Sequence, residues 1–535
     1  MIDPGSSPRC GLCGTPSSRA VLDEAGWLSP RVRARLLRDH PAWRPSDGAC
    51  PACVQEALLR VLLARGDAAL HEGIQAVWPL DVAAAFGALP TPLRMHADAR
   101  YTGRGVTIAF VDAAFFPHPD LTSPTNRIRA FVDASQEPLS ATTFGPDERP
   151  SWPGSDRGAP PQWHGLMTSA VASGNGQLSR GLYRGLASEA DLVLIQVREP
   201  NGRITSQGIA RALRFVLEQG QRFGVRIVSL SVAGDDGPPR RDDPADLMVA
   251  ELVDAGVIVI AAAGNDGVRS LVPPATAPQA LTVGGLDDKN SFDHAAVEIW
   301  HSNYGASSSG ASKPEMVAPS LWVVAPLLPG TSKAEDARRL FAARAAGDEM
   351  AEGGIRDRHL ITPHYHHVDG TSVAAPLVAS AAACALQANP RLGQALLRQV
   401  LLGSCRPVPG APPEQQGRGA LDAGQAVARA LRERHGALEN RPASPTIGNE
   451  GVTFLLHDHD ARLVRVQGSW DDWREPGVTA RLIEPGLWQA DLPRPSPGRY
   501  EYKLRLDDVR WLDDPDNPLK VPDGSGRLNS VLILE

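Results

Sequence analysis

The chain has 535 residues, 42% of them hydrophobic, and a formal net charge of −7. That length predicts about three domains and supplies ample material for a large core. The acidic balance gives no sign of nucleic-acid binding. No apolar run long enough to span a bilayer stands out, so neither a transmembrane helix nor a membrane partner is expected.

At the start, the stretch from Met1 to Cys10 lacks the apolar core of a secretory signal, so a cytoplasmic location is expected. Four of the six cysteines form two Cys-x-x-Cys pairs, Cys10 with Cys13 and Cys50 with Cys53. Two such knuckles supply four thiolates to a tetrahedral Zn²⁺ with no open position, hence a structural metal site. A disulfide pair or redox-active thiols are the alternatives, and a reducing compartment disfavours both. Helical periodicity covers Arg31 to Asp39 and Val54 to Ala64.

The apolar run Val106 to Val111 predicts a buried strand, and Asp112 ends it. A carboxylate there sits at the rim of an open α/β sheet, where sites form. Pro117 to Leu121 reads as a turn. His164 and Gly165 precede a small-residue stretch, Met167 to Ser173, that predicts a tightly packed helix. Val257 to Ile260 predicts another strand. Asn265 follows it on a glycine loop, where its amide suits a donor to an oxyanion.

Ser332 to Met350 reads as a charged, alanine-rich helix, followed by His364, His366 and His367. Alternating polar residues on a strand or loop explain those histidines better than a metal site does. Gly370 to Pro376 then places Ser372 at the first turn of a helix of small residues, where free N–H groups face developing negative charge. Cys384 lies in that helix and Cys405 near its end, both read as small buried apolar residues. Residues 434–446 have the composition of an exposed linker. Beyond them, Val452 to Leu456, Leu463 to Gln467, Leu487 to Leu492, Tyr500 to Leu506 and Ser530 to Leu534 predict the short strands of a β-sandwich. Four of the chain's 11 tryptophans fall here; Trp470 and Trp488 read as core.

The order Asp112, His164, Asn265, Ser372 is the subtilisin order among convergent triads. On these motifs the chain resembles the subtilisin-like serine proteases (subtilases, peptidase S8 family) over roughly residues 95–430. Ile227 to Val232, Pro274 to Gly284, Lys313 to Pro319 and Gly417 to Ala423 match as well. The resemblance implies an α/β, subtilisin-like three-layer domain with a mostly parallel sheet. It implies Ser372 as nucleophile, His164 as base, Asp112 orienting the imidazole and Asn265 holding the oxyanion, with no cofactor for catalysis. Ser231 to Ala233 and Ala261 to Gly264 would flank the P1 pocket.

Departures from the family pattern are Ala113 and Ala114, where a hydroxyl and a glycine are usual, and Leu166, where threonine is usual. Between Pro319 and Gly370 lies an insertion relative to the family, either a lid or substrate wall or a surface decoration. The N-terminal region shows no propeptide pattern.

The C-terminal segment resembles the glycogen-binding domain of AMP-activated kinase and the family-48 carbohydrate-binding modules. The carriers are Gly468 to Trp473, Gly498 to Lys503, Trp511 to Pro515 and Leu528 to Ser530. The resemblance implies a glucan site of Trp473, Lys503, Trp511 and Asn529, with Ser525 at the position of the capping leucine. The same module serves elsewhere for structure or protein docking.

The expected organisation is therefore 1–94 zinc-knuckle and helical region, 95–433 peptidase, 434–446 linker and 447–535 glycogen-binding-like module. The expected activity is an intracellular serine endopeptidase acting on protein or peptide, with glycogen or another α-glucan as a further partner. The competing reading is a non-catalytic scaffold making contacts through both terminal regions.

Overall fold

The computed structural model describes residues 9–12, 14, 30–49, 53, 57, 88–156, 158–179, 181–235, 242–290, 297–348, 350–433, 444–448, 451–458, 461–484, 487–514, 517, 519–524 and 527–534. Cys13, Cys50, Ser525, most of the expected linker and all of the expected Val54 to Ala64 helix except Ala57 lie outside them. The first helix, α1, spans Pro30–Asp39 as the periodicity predicts.

The centre of the chain is an 11-stranded sheet. Its principal strands are β1 (Thr107–Asp112), β2 (Ile128–Asp133), β3 (Ser140–Thr143), β4 (Asp191–Gln196), β5 (Val225–Leu230), β6 (Ile258–Ala262), β7 (Leu281–Asp287) and β8 (Met316–Pro319). Their order is β8-β7-β6-β5-β1-β4-β2-β3. All neighbours are parallel except β2 and the exposed edge strand β3. Both faces are covered, which explains why β1 reads as a continuous apolar run and is buried at every position.

One face packs on α2 (Gln162–Ser173) and on the helix Thr371–Ala388, through Leu166, Met167, Val373 and Leu377. The other packs on α3 (Ser206–Gln219) and α4 (Pro244–Asp254), through Ile209, Leu213, Val249 and Leu252. The result is the three-layer, mostly parallel α/β arrangement expected.

The insertion forms α5 (Ser332–Ala345), α6 (Met350–Asp357) and a three-stranded sheet of β9 (Val323–Pro326), β10 (Leu360–Thr362) and β11 (Tyr365–Val368). The single helix expected to Met350 breaks at Gly347, whose φ of 93° suits glycine. The insertion has its own small core of Leu327, Leu340, Phe341, Ile355 and Leu360.

The helix that follows Gly370, α7 (Thr371–Ala388), is almost wholly buried. This corrects the expectation about apolar runs. An 18-residue window of α7 has a mean hydropathy of 1.4, enough by length and composition to cross a membrane, yet 94% of it is buried inside the fold. Its alanines let the helix pass close to the sheet and to α2 and α9 (Ala423–Glu433). Cys384 is buried in α7, as expected. Cys405 instead begins a short edge strand, after α8 (Gln394–Leu402).

The C-terminal segment forms two antiparallel sheets. Strands β12 (Gly451–His457) and β14 (Leu487–Pro493) centre one; β13 (Val464–Gly468), β15 (Gly498–Leu506), β16 (Arg510–Leu512) and β17 (Leu528–Leu534) build most of the other. Phe454, Trp488, Tyr502 and Leu532 fill the space between, and Trp470 packs on Phe454 and Tyr502. Both tryptophans read as core are thus placed there. An ion pair ties this module to the α/β domain: Arg418 Nη1 lies 2.6 Å from Asp513 Oδ2.

Candidate active site

Asp112 ends β1 and is buried. Its Oδ1 lies 2.7 Å from His164 Nδ1 and accepts the Ala113 backbone N–H at 2.7 Å. Oδ2 accepts the Thr168 hydroxyl at 2.9 Å. The carboxylate therefore keeps a fixed orientation although alanine follows it. Thr168 is the residue that sequence reasoning missed. The available signal was its spacing: four residues after His164, it shares a helix face with the histidine.

His164 is the third residue of α2. Gly165 beside it has no room for a side chain, since a Cβ would lie 2.1 Å from the Ala114 carbonyl oxygen. That close approach brings the helix and the loop after β1 together. Burial opposes charging of the ring, but the charge of Asp112 and its hydrogen bond outweigh it and raise the His164 pKa above 6.5.

Ser372 is the second residue of α7, after Gly370 at φ 130°, a conformation that needs glycine. Asn265 lies on the loop after β6. Its Oδ1 accepts both the Thr371 backbone N–H, at 2.9 Å, and the Thr371 hydroxyl, at 2.8 Å. The backbone donor identifies that atom as oxygen and leaves Nδ2 as the free donor end. A Cβ placed on Gly370 would lie 3.1 Å from Ser372 Oγ and 3.4 Å from Asn265 Nδ2, so the two groups flank one small space. Among the described residues no hydrogen bond joins Ser372 Oγ to His164, a contact often loose before substrate binds. Ser231 Oγ donates to the Ser372 carbonyl at 3.2 Å, which sets Ser231 against the Ser372 backbone.

Asp112 and His164 thus pair at the carboxyl end of β1 and the first turn of α2, and Asn265 and Ser372 meet at the loop after β6 and the first turn of α7. A buried carboxylate, an imidazole held by it, a serine on a helix N-terminus and a free amide donor suit nucleophilic attack on a carbonyl. The subtilase family profile matches residues 103–422. The chain belongs to the subtilase family. Serine protease AprX of Bacillus subtilis (strain 168) is 29% identical over 335 residues, which are 61% of this chain and 67% of that protein. Subtilisin BL of Lederbergia lenta is 26% identical over 300 residues, 56% of this chain and 83% of its own. Among solved structures, sphericase aligns over 57% of this chain and 84% of its own at 22% identity, with a TM-score of 0.41. As a subtilase with these relatives, the protein is a serine endopeptidase whose substrates are proteins or peptides.

The other expected sites are placed as follows. Cys10 Sγ and Cys53 Sγ lie 3.9 Å apart, well beyond a disulfide bond. Among the described residues no group of three His, Cys, Asp or Glu is arranged to hold a metal ion, at His364, His366 and His367 or elsewhere. In the C-terminal module, β15 points Tyr502 and Leu504 into the core and Lys503 outward. Gln467 pairs with Lys503, Trp511 with Arg505, and Ser530, next to Asn529, with Tyr502. Lys503, Trp511 and Asn529 therefore share the outer face of one sheet. Trp473 stands at its margin, where its carbonyl accepts from Gln467 Nε2 at 3.4 Å. Lys503 is ion-paired with Asp523, Asn529 donates to Glu501 at 2.7 Å, and the Arg505 guanidinium lies 5.3 Å from the Trp511 ring centroid.

Proposed function

We propose that this subtilase cleaves peptide bonds with Ser372 as nucleophile. His164 takes the hydroxyl proton as Ser372 Oγ attacks the carbonyl and returns it to the leaving amine. Asp112 holds the ring in the tautomer with its proton on Nδ1. Asn265 Nδ2 and the Ser372 backbone N–H hold the oxyanion of the tetrahedral intermediate. The observation that carries this reading is the 2.7 Å contact of Asp112 with His164, together with the small space shared by Ser372 Oγ and Asn265 Nδ2. The test is casein digestion by the parent and by Ser372→Ala, beside labelling with a fluorophosphonate. The parent should digest casein and carry label on Ser372 alone. Equal digestion by Ser372→Ala would remove the assignment, and an unlabelled, inert parent would favour the scaffold.

In this reading the N-terminal knuckles hold one structural Zn²⁺ through Cys10, Cys13, Cys50 and Cys53. Four sulfurs each about 2.3 Å from zinc sit about 3.8 Å from one another, and the 3.9 Å between Cys10 Sγ and Cys53 Sγ supports that arrangement. The metal would tie the two knuckles together; catalysis does not use it. A reducing, intracellular location accords with it, since Cys384 and Cys405 are not in disulfides. The C-terminal module is read as an α-glucan tether, supported by the common outer face of Lys503, Trp511 and Asn529. Protein docking is the competing use of that face.

A further inference from the structure

The insertion builds a pocket of about 370 Å³ together with residues that precede His164 and Ser372 in the chain. Its lining includes Trp163, which immediately precedes His164, and Asp369, three residues before Ser372. The rest comes from the insertion, chiefly Lys333, Arg358, His359, His366 and His367. The pocket therefore adjoins the start of the helix that carries His164 and the segment that leads into Gly370 and Ser372.

Its charges are unevenly matched. The Arg358 guanidinium is paired with Asp336 at 2.9 Å. Lys333 is half-buried, and among the described residues no carboxylate reaches within 4.0 Å of its Nζ. Asp357 and Asp369 line the pocket and are exposed; the charge of Asp369 acts on Lys333 from beyond ion-pair distance. Lys333 also stands in the first turn of α5, the end of a helix that disfavours a cation. Its hydrogen bond is to the buried His366, Nζ to Nδ1 at 2.8 Å.

Trp163 Nε1 lies 3.4 Å from the other nitrogen, Nε2, of the same ring. Burial first, and then the Lys333 charge, push the His366 pKa down to about 3, so the ring is neutral. A neutral imidazole accepts at one nitrogen only. The ammonium and the indole N–H are both donors without acceptor capacity, so two donors share one acceptor and one is surplus. A cation with no carboxylate in contact, a surplus N–H and a helix N-terminus together match an anionic acceptor with two oxygens.

We propose that this pocket binds a carboxylate of the peptide substrate on Lys333 and Trp163, selecting substrates that carry one beside the scissile bond. The proposal rests on the protease reading and names its substrate class. An Asp or Glu side chain and a chain-terminal carboxylate offer the same chemistry.

The test uses full-length protein carrying Ser372→Ala, so that binding is read without cleavage. Fluorescent, end-capped peptides carry Glu or Gln at each position in turn, and a further peptide has a free C-terminus but no acidic residue. Binding is read by anisotropy. A Glu peptide should bind about tenfold tighter than its Gln twin at one position, the scale of one charged hydrogen bond. If the free C-terminus binds better instead, the chain end is the source. Adding Lys333→Met should erase the difference, and Lys333→Arg should keep it. The readout is a ratio within one variant, so a general loss of affinity cancels. Equal binding of all peptides, or a preference that survives Lys333→Met, would overturn the pocket. Casein digestion by the parent is read separately: its failure removes the protease assignment and leaves the binding result standing.

Discussion

Thr168 Oγ1 donates to Asp112 Oδ2 at 2.9 Å, one helical turn beyond the histidine that Asp112 Oδ1 holds. The hydroxyl that subtilases usually carry after the aspartate is thus replaced from α2, and one helix fixes both oxygens. Thr168→Val keeps the shape and removes the bond. The rate should fall roughly threefold to tenfold, the scale of one hydrogen bond. Because the carboxylate loses a stabilising donor, its pull on His164 should strengthen and the acid limb of activity should move to higher pH. An unchanged rate and profile would show that Thr168 is only packing.

The acid limb itself follows from His164. The ring must be neutral to accept the serine proton, and its pKa is raised above 6.5 by Asp112 against the pull of burial. Activity should therefore be lost on acidification with a midpoint above 6.5. In Asp112→Asn the charge is gone and burial alone remains, so the residual activity should show its limb below 6.5. A limb that stays in place would mean that another group sets it. Measuring kcat/KM against pH for both proteins decides this.

Asn265 has two duties that one substitution separates by readout. Its oxygen clamps Thr371 at the start of α7, and its nitrogen faces the space beside Ser372. Asn265→Ala should lower kcat by about 10²–10³ with little change in KM, the pattern for a donor used only in the transition state. Loss of the clamp should cost about 1 kcal/mol of stability. A fall in melting temperature with kcat preserved would leave Asn265 as a structural clamp alone.

The parts of the site that were legible are those whose meaning is local. A continuous apolar strand predicts where Asp112 stands, glycine before Ser372 predicts the tight turn, and small residues predict helices that pack closely. Four such signals in order marked the centre. Thr168 was hidden because its role depends on a helix and a strand meeting. Lys333 and Trp163 were hidden more deeply, and His366 stood out in the sequence without its partners, since the three meet only after the insertion has folded on its own core. The apolar length of α7 was underestimated because alanine contributes little per residue while burial sums over 18 residues. Gly347 was read through as helix, although its positive φ ends α5.

Metal analysis tests the knuckles. The full chain should carry about one zinc, and Cys53→Ser should lose it, because a site of four thiolates does not close with three. Chelation should loosen the N-terminal region and leave the peptidase sheet intact. Metal-free protein with these four cysteines in disulfides would replace the zinc site with a covalent one.

The C-terminal face tests the tether. Sugar rings stack their C–H faces on indoles, and Trp473 and Trp511 are the half-exposed indoles at that face. Lys503 and Asn529 are already engaged with Asp523 and Glu501, so a glucan must share or displace those contacts. Binding should therefore be weak and rest on the indoles. The full chain should be retained on amylose, and the Trp473→Ala, Trp511→Ala double variant should lose most of that retention. Cleavage of a small peptide should be the same in both, since the proposed triad lies in the other domain. Equal retention of the two proteins, or none of the parent, would make protein docking the better reading of this face.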